Sequence, residues 1–303
     1  MGGDIDTVVL NFSPGSLHLM NAILAIIMFS IAIDLKKADF TQFMTHPKPF
    51  LTGLASQFLL LPFLTYLLVL ATTPRPSIAL GLILVAACPG GNISNFITHR
   101  ARGNSALSVS MTAFSTISAI VLTPLNIAFW GSLYPPAHQI LKQTFIDPLA
   151  VALTVFILLV LPLCLGVYFN AKRPDITTKI RQPLQWISMG IFIAFIILAL
   201  AANWSLFLKY AGVVAGLVVV HNSIALGGGF TLATLTRVSA FDRRAIMIET
   251  GIQNSGLGLV LIFGFFSGLG GMAVVAAFWG IWHAVSGLVL AGFLSRNPVP
   301  QTA

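Results

Sequence analysis

The chain has 303 residues, 57% hydrophobic and 8% charged, with a mean hydropathy of +0.93. No ordinary soluble domain of this length has that composition, and long apolar runs recur from end to end. The formal charge of +8 would suit a nucleic-acid partner, but its distribution, given below, excludes one.

In chain order, residues 17–35, 49–71, 77–98, 104–130, 147–169, 184–203, 210–235, 245–268 and 270–294 each carry enough apolar sequence to cross about 30 Å of hydrocarbon. Nine helices are therefore predicted, with short connections and no room for a soluble domain. The acidic opening Met1-Gly-Gly-Asp-Ile-Asp6 carries no basic lead, and no small-residue cleavage site follows the first run. Residues 17–35 are thus expected to be retained rather than removed as a signal peptide. On the second span Gln57 is the lone amide in an apolar stretch, and it needs a partner across helices.

The third span is interrupted. It reads Ala86-Ala-Cys-Pro-Gly-Gly-Asn-Ile-Ser-Asn95, with Pro89, Gly90 and Gly91 in mid-segment and Asn92, Ser94 and Asn95 where lipid would demand leucine. Proline removes a backbone donor and paired glycines favour unwinding. Along the fourth span Ser105, Ser108, Thr112, Ser115 and Thr116 recur at helical spacing, Ser108 and Thr112 on one face. Any single hydroxyl there can simply bond its own i−4 carbonyl. His221 and Asn222 on the seventh span and His283 on the ninth have no metal-ligand spacing, so structural and functional roles both stay open. Cys88 and Cys164 fall inside apolar spans and read as small buried hydrophobes, not as a disulfide framework.

The eighth span is broken like the third. Gly251 and Gly256 bracket Gln253, Asn254 and Ser255, and Glu249, the only glutamate in the chain, sits just ahead. One such break alone reads equally well as a packing kink. Two, with a carboxylate beside one, point to a transporter's binding site, because non-helical backbone at membrane depth survives only in protein or against a wet cavity. A carboxylate in the bilayer costs about 2.5–3.5 kcal/mol on insertion scales. No Lys or Arg lies inside any predicted span to pair with it. The remaining candidate partner is a cation from outside the protein.

Taking alternate loops, one side holds Lys36, Lys37, Lys48, Arg100, Arg102, Lys172, Arg173, Lys179, Arg181, Arg237, Arg243, Arg244 and Arg296, and the other only Arg75, Lys142 and Lys209. That asymmetry is the positive-inside pattern and places the N-terminus outside and the C-terminus in the cytoplasm. Catalytic signatures of intramembrane enzymes are absent: there is no His-Glu-x-x-His, no Gly-x-Gly-Asp aspartate pair and no Gly-x-Ser-x-Gly elbow. The chain is not expected to be an enzyme.

These motifs resemble the bile acid:sodium symporter family. The likeness rests on Cys88-Pro-Gly-Gly-Asn-Ile-Ser-Asn95, on Ala101-Arg-Gly-Asn104 with the Ser/Thr-rich helix after it, and on Glu249-Thr-Gly-Ile-Gln-Asn-Ser-Gly-Leu257. The stretch from Met28 to Lys48, with His46-Pro47-Lys48, and the His221-Asn222 pair also match. The resemblance implies an all-α polytopic membrane protein of two inverted repeats, the first lacking one helix, whose two broken helices cross at mid-membrane. It implies a panel domain (17–35 and 147–203) facing a core domain (49–130 and 210–294). It assigns a first sodium site to Ser94, Asn95, Ser108, Thr112 and Glu249. A second falls to Gln57, Glu249 and Gln253 with the carbonyls of Thr250 and Ile252. Asn92, Asn254 and His283 lie where family substrates bind. Asn92 and Ala284, the latter replacing the asparagine of a frequent His-Asn pair, depart from the family pattern.

The expected function is a sodium-coupled symporter of a small organic anion, of bile-salt, steroid-conjugate, pantoate or 2-oxo-acid type, working by alternating access. The alternative is a proton-coupled or sodium-independent carrier in which Glu249 is the proton site. Two co-transported Na⁺ and no organic cofactor are expected. Its surroundings would be lipid of a plasma membrane, such as a bacterial inner membrane, with no nucleic acid and no obligatory protein partner.

Overall fold

A computed structural model of the protein describes residues 5–7, 14–33, 47–144, 147–202, 204–297 and 299–300. Residues 34–46 of the family-like stretch, with Lys36, Lys37 and His46, lie outside the described residues, as do residues 1–4 of the acidic opening. Every regular element described is a helix. Helix α1 covers Pro14–Ala32 and α2 Pro47–Thr72. The third predicted span is two helices, α3 (Pro76–Ala87) and α4 (Ile93–Arg100). There follow α5 (Ser105–Leu133), α6 (Pro135–Thr144), α7 (Pro148–Lys172), α8 (Pro174–Ala202) and α9 (Trp204–Leu235). The eighth span is again two pieces, α10 (Ala240–Gly251) and α11 (Ser255–Phe265), before α12 (Gly270–Ser295).

The starts follow from local chemistry. Helices α1, α2, α3, α6, α7 and α8 each open on proline, whose fixed φ suits a first helical position that needs no donor. Side chains cap others: Asn104 Oδ1 accepts from Leu107 N at 3.0 Å, and Ser239 Oγ from Asp242 N at 3.1 Å. A proline and a cap explain two early starts. Helix α8 begins at Pro174 rather than 184, and α10 at Ala240 rather than 245, because Pro174 and Ser239 let charged residues ride on the first turns. The short helix α6 lies where a plain connection is expected from sequence; it is too short to span and too polar to show as an apolar run.

Among the described residues five helices are long and apolar enough to cross a membrane: Pro47–Thr72, Ser105–Leu133, Pro148–Lys172, Gly212–Leu235 and Gly270–Ser295. Shorter apolar helices occur at Gly15–Ser30, Pro76–Ala87 and Ser255–Phe265. The two interrupted spans fall short as single helices because the break divides each of them. This is a multi-pass membrane protein, and exposed leucines and phenylalanines such as Leu59, Leu125, Phe129, Leu149 and Leu198 are the lipid face.

Helices α2 and α7 share an internal irregularity. Each contains one wide π-turn, Ser56–Leu60 and Phe156–Val160, closed by Leu61 N to Ser56 O and by Leu161 N to Phe156 O. Pro62 and Pro162 follow directly. A proline cannot donate to the carbonyl four residues back, and one turn of i→i+5 bonding takes up the mismatch. In α2 that turn carries Ser56 and Gln57, both buried.

Packing divides the helices. Helix α1 packs on α7 and α8, while α2, α3, α5, α9, α10 and α12 pack mainly on one another. Helix α3 lies at the centre of the second group, buried from Ser77 to Ala87. Its all-round apolar sequence is what a helix without a solvent or lipid face requires. At one end, Arg244 and Asp242 stitch four helix ends together. Arg244 donates to Ala101 O at 2.7 Å and to Asn297 O, and Asp242 accepts from Asn104 Nδ2 at 2.7 Å.

Candidate ion and substrate site at the helix crossing

The two breaks satisfy each other. Gly91 N donates to Ile252 O at 2.7 Å, and Asn254 N donates to Pro89 O at 2.9 Å. Gly90 and Gln253 thereby form an isolated antiparallel bridge. Side chains take further carbonyls at the crossing. Thr123 Oγ1 donates to Ala87 O at 2.8 Å, Gln57 Nε2 to Cys88 O at 2.8 Å, and Asn222 Nδ2 to Gly251 O at 2.7 Å. Buried main-chain groups need partners where no water reaches, and here the two broken spans supply partners to each other. Only glycine fits at the contact. A Cβ on Gly91 would lie 2.6 Å from Gln253 O, and one on Gly90 would collide with Glu249 Oε1.

Glu249 is 0% exposed. Its Oε2 accepts from Ser94 Oγ at 2.6 Å and Ser108 Oγ at 3.0 Å, and its Oε1 from Thr112 Oγ1 at 2.6 Å. Asn95 Oδ1 is within 2.9 Å of Ser108 Oγ and 3.2 Å of Thr112 Oγ1. Helices α4, α5 and α10 thus bring Ser94, Asn95, Ser108, Thr112 and Glu249 into one knot of oxygens. No basic side chain pairs with Glu249 among the described residues. Nor do three His, Cys, Asp or Glu side chains gather anywhere among them as a metal site would require. One carboxylate among neutral oxygens suits a hard monovalent cation rather than a transition metal.

Gln57, Thr250 and Gln253 form a second knot one turn along. The amides of Gln57 and Gln253 are bonded to each other, and Gln253 Nε2 also donates to Thr250 O at 2.7 Å. Thr250 Oγ1 meets Ser56 Oγ at 2.9 Å. No bond joins the Glu249 carboxylate to either amide, and the Ile252 carbonyl is the one bonded by Gly91 N.

Beside the crossing lies a cavity of about 480 Å³. Leu24 and Ile27 of α1 and Ile193 and Ile197 of α8 make one wall; Asn92, Asn254, Ser255 and His283 lie on the other. The cavity holds the N-terminal ends of α4 and α11, where main-chain N–H groups and the helix dipole favour negative charge. Asn254 Oδ1 caps α11 by accepting from Leu257 N at 3.0 Å, and Asn92 Nδ2 lies 3.2 Å from Met28 Sδ. His283 Nδ1 and Ser255 Oγ are buried without a hydrogen-bond partner among the described residues. No Lys or Arg among those residues lines this space.

Ser255 is not among the site residues expected from sequence, although its place in Gln253-Asn254-Ser255 is visible there. Thr123 and Ser56 are likewise missed, because each looks like an ordinary helix hydroxyl. His221 is bonded through both ring nitrogens, with Thr65 Oγ1 at 2.6 Å from Nε2 and Trp279 Nε1 donating to Nδ1 at 2.9 Å. That arrangement makes it a structural tie among α2, α9 and α12.

Comparison with known proteins places these features in context. Residues 22–210 match the model of the Sodium Bile acid symporter family. An uncharacterized sodium-dependent transporter, YocS, of Bacillus subtilis is 31% identical over 294 residues, covering 95% of this chain and 88% of its own. A probable chloroplastic sodium/metabolite cotransporter, BASS1, of Arabidopsis thaliana is 31% identical over 280 residues, covering 92% and 67%. The mouse sodium-dependent organic anion transporter is 28% identical over 282 residues, covering 86% and 73%.

Proposed function

The chain belongs to the sodium bile acid symporter family, and from that premise and the crossing we propose that it is a two-sodium symporter of a small organic anion. The observation that carries the reading is Glu249: fully buried, without a basic partner among the described residues, and bonded by hydroxyls of α4 and α5 in a knot of oxygens. The first ion would take Ser94, Asn95, Ser108, Thr112 and Glu249. The second would take Gln57, Gln253, Glu249 and the carbonyls of Thr250 and Ile252. The anion would sit in the neighbouring cavity against Asn92, Asn254 and His283.

Coupling follows from charge. No Lys or Arg among the described residues lines the cavity, so an anion there is met by helix N-termini, the amides of Asn92 and Asn254, the Ser255 hydroxyl and the His283 ring. Two sodium ions add +2 against the −1 of Glu249 and make the crossing net positive only when loaded. Helices α1, α7 and α8 form the panel, and the helices around the crossing form the core that moves against it. Nine membrane passes in two inverted repeats, N-terminus outside, in a plasma membrane, complete the proposal.

The test is uptake by proteoliposomes of bile salts, pantoate, 2-oxo acids and steroid sulfates, under sodium, potassium or pH gradients. Sodium-driven accumulation of one anion is expected. Uptake that follows pH and ignores sodium would reassign Glu249 to a proton. In the same assay Thr112→Val, which keeps shape and loses the hydroxyl on Glu249, should raise the sodium needed for half-maximal uptake roughly 10-fold, the worth of one charge-assisted hydrogen bond. Equal sodium dependence would remove Thr112 from the site.

Asn92 and Ala284 both line the cavity and both depart from the family pattern. Asn92→Thr and Ala284→Asn should therefore shift the relative affinities of the anions by several-fold while leaving sodium dependence unchanged. Competition among the panel substrates measures this, and an unaltered ranking in both variants would place the substrate elsewhere.

A further inference from the structure

Gln57 and Gln253 lie amide to amide. Gln57 Nε2 donates to Gln253 Oε1 at 2.7 Å, and Gln253 Nε2 donates back to Gln57 Oε1 at 3.1 Å. Each nitrogen has a second hydrogen and sets it on a main-chain carbonyl at a break. Gln57 reaches Cys88 O at 2.8 Å, and Gln253 reaches Thr250 O at 2.7 Å. The two carbonyls belong to different broken spans, so the amide pair clamps one break to the other. Its orientation is fixed, because turning either amide over would set oxygen against oxygen. Gln57 and Gln253 are each 1% exposed and Cys88 is 0% exposed, so the pair is shut off from the protein surface.

A cation between these side chains must be met by their Oε1 atoms, since an N–H group repels it. Both amides then turn, and both carbonyls lose their donor. Leaving a buried carbonyl without a partner is unfavourable. Thr250 O already belongs to the proposed second site. Cys88 O does not, and no other donor reaches it among the described residues. Its neighbours Ala87 O and Pro89 O keep their own donors, Thr123 Oγ1 and Asn254 N.

We propose that the Cys88 carbonyl is a ligand of the second sodium ion, exchanging the Gln57 amide hydrogen for the ion. The inference rests on the two-sodium reading and adds to it a direct bond from the third span to the second ion. Each ion then touches both broken spans. The first does so through Ser94 and Glu249; the second does so through Cys88 and Thr250.

Cys88 carries its own reporter, a buried thiol, whereas Cys164 is exposed, contrary to the expectation from sequence, and can be replaced by serine. Labelling by methyl methanethiosulfonate would be followed by mass spectrometry on purified protein, in saturating sodium chloride or in choline chloride. The parent should label slowly in both. Gln57→Met has no hydrogen for Cys88 O, and in choline it should label at least ten-fold faster. Gln57→Glu also lacks that hydrogen but keeps oxygens for the ion, so in sodium it should return to the parent rate. Slow labelling of Gln57→Met in choline would show that the amide does not hold the break, and the proposal falls. Fast labelling of Gln57→Glu in saturating sodium would show that no ion takes up the carbonyl, and this too overturns it. Melting of the parent at rising sodium separates the two claims. A parent indifferent to sodium overturns the two-sodium reading, whereas a sodium-stabilised parent with either failed labelling result overturns only the role of Cys88.

Discussion

Glu249→Gln should weaken sodium binding by on the order of 10²–10³-fold and silence sodium-driven uptake, while the protein still folds. The carboxylate is the one formal negative charge in the proposed ion sites. Removing one partner of a buried, hydrogen-bonded charge pair costs about 3–5 kcal/mol, which sets that magnitude. Folding should survive because the amide keeps the shape, and Ser94, Ser108 and Thr112 can rotate their hydroxyls to meet it. Thermal unfolding with and without sodium separates the two effects. A bound ion raises stability by RT ln(1 + [L]/Kd). The parent's melting temperature should climb with sodium; the variant's should start within a few degrees of it and stay flat. A Gln variant that still melts higher in sodium and still accumulates substrate would remove the central claim.

Accumulation of a monovalent anion should depend on membrane voltage. Two sodium ions entering with one negative charge carry a net +1 per cycle, and each charge gains about 2.3 kcal/mol per 100 mV. An inside-negative potential of about 100 mV should therefore support roughly 50-fold more accumulation than the sodium gradient alone. For a divalent anion the same cycle is neutral and the voltage should have almost no thermodynamic effect. Proteoliposomes with a fixed sodium gradient and a potassium–valinomycin potential of either sign would measure both. A monovalent substrate whose steady-state level ignores the potential would rule out two-ion coupling.

The two breaks were legible in the sequence because lipid makes polar residues conspicuous. Gln57, Asn92, Asn95 and Glu249 stand in apolar context, where each needs a partner, and Pro89-Gly90-Gly91 and Gly251…Gly256 announce where the backbone opens. Ser108 and Thr112, which their spacing sets on one face of α5, both bond Glu249, although spacing alone does not name that partner. What escaped notice were groups whose local pattern is ordinary. Thr123 looks like any helical hydroxyl, yet it bonds Ala87 O across 36 residues. The π-turn under Gln57 left no mark except Pro62, which equally suits a plain kink. Helix α6 was invisible to a search for apolar runs, and the early starts of α8 and α10 depended on a proline and a cap that hydropathy does not register.

The reciprocal bonding of the two breaks also bears on how the chain is made. Gly90 and Gln253 are 163 residues apart (253 − 90). Synthesis proceeds at about 5–20 residues per second, so the second break leaves the ribosome roughly 8–30 s after the first. Through that interval Pro89 O and Gly91 N lack the partners they have in the finished fold, and proline with two glycines disfavours a helix closing over them. The third span must therefore wait at a wet or protein-lined site until the eighth arrives. Closure of the crossing therefore cannot precede synthesis of the eighth span, which completes a junction that the third leaves open.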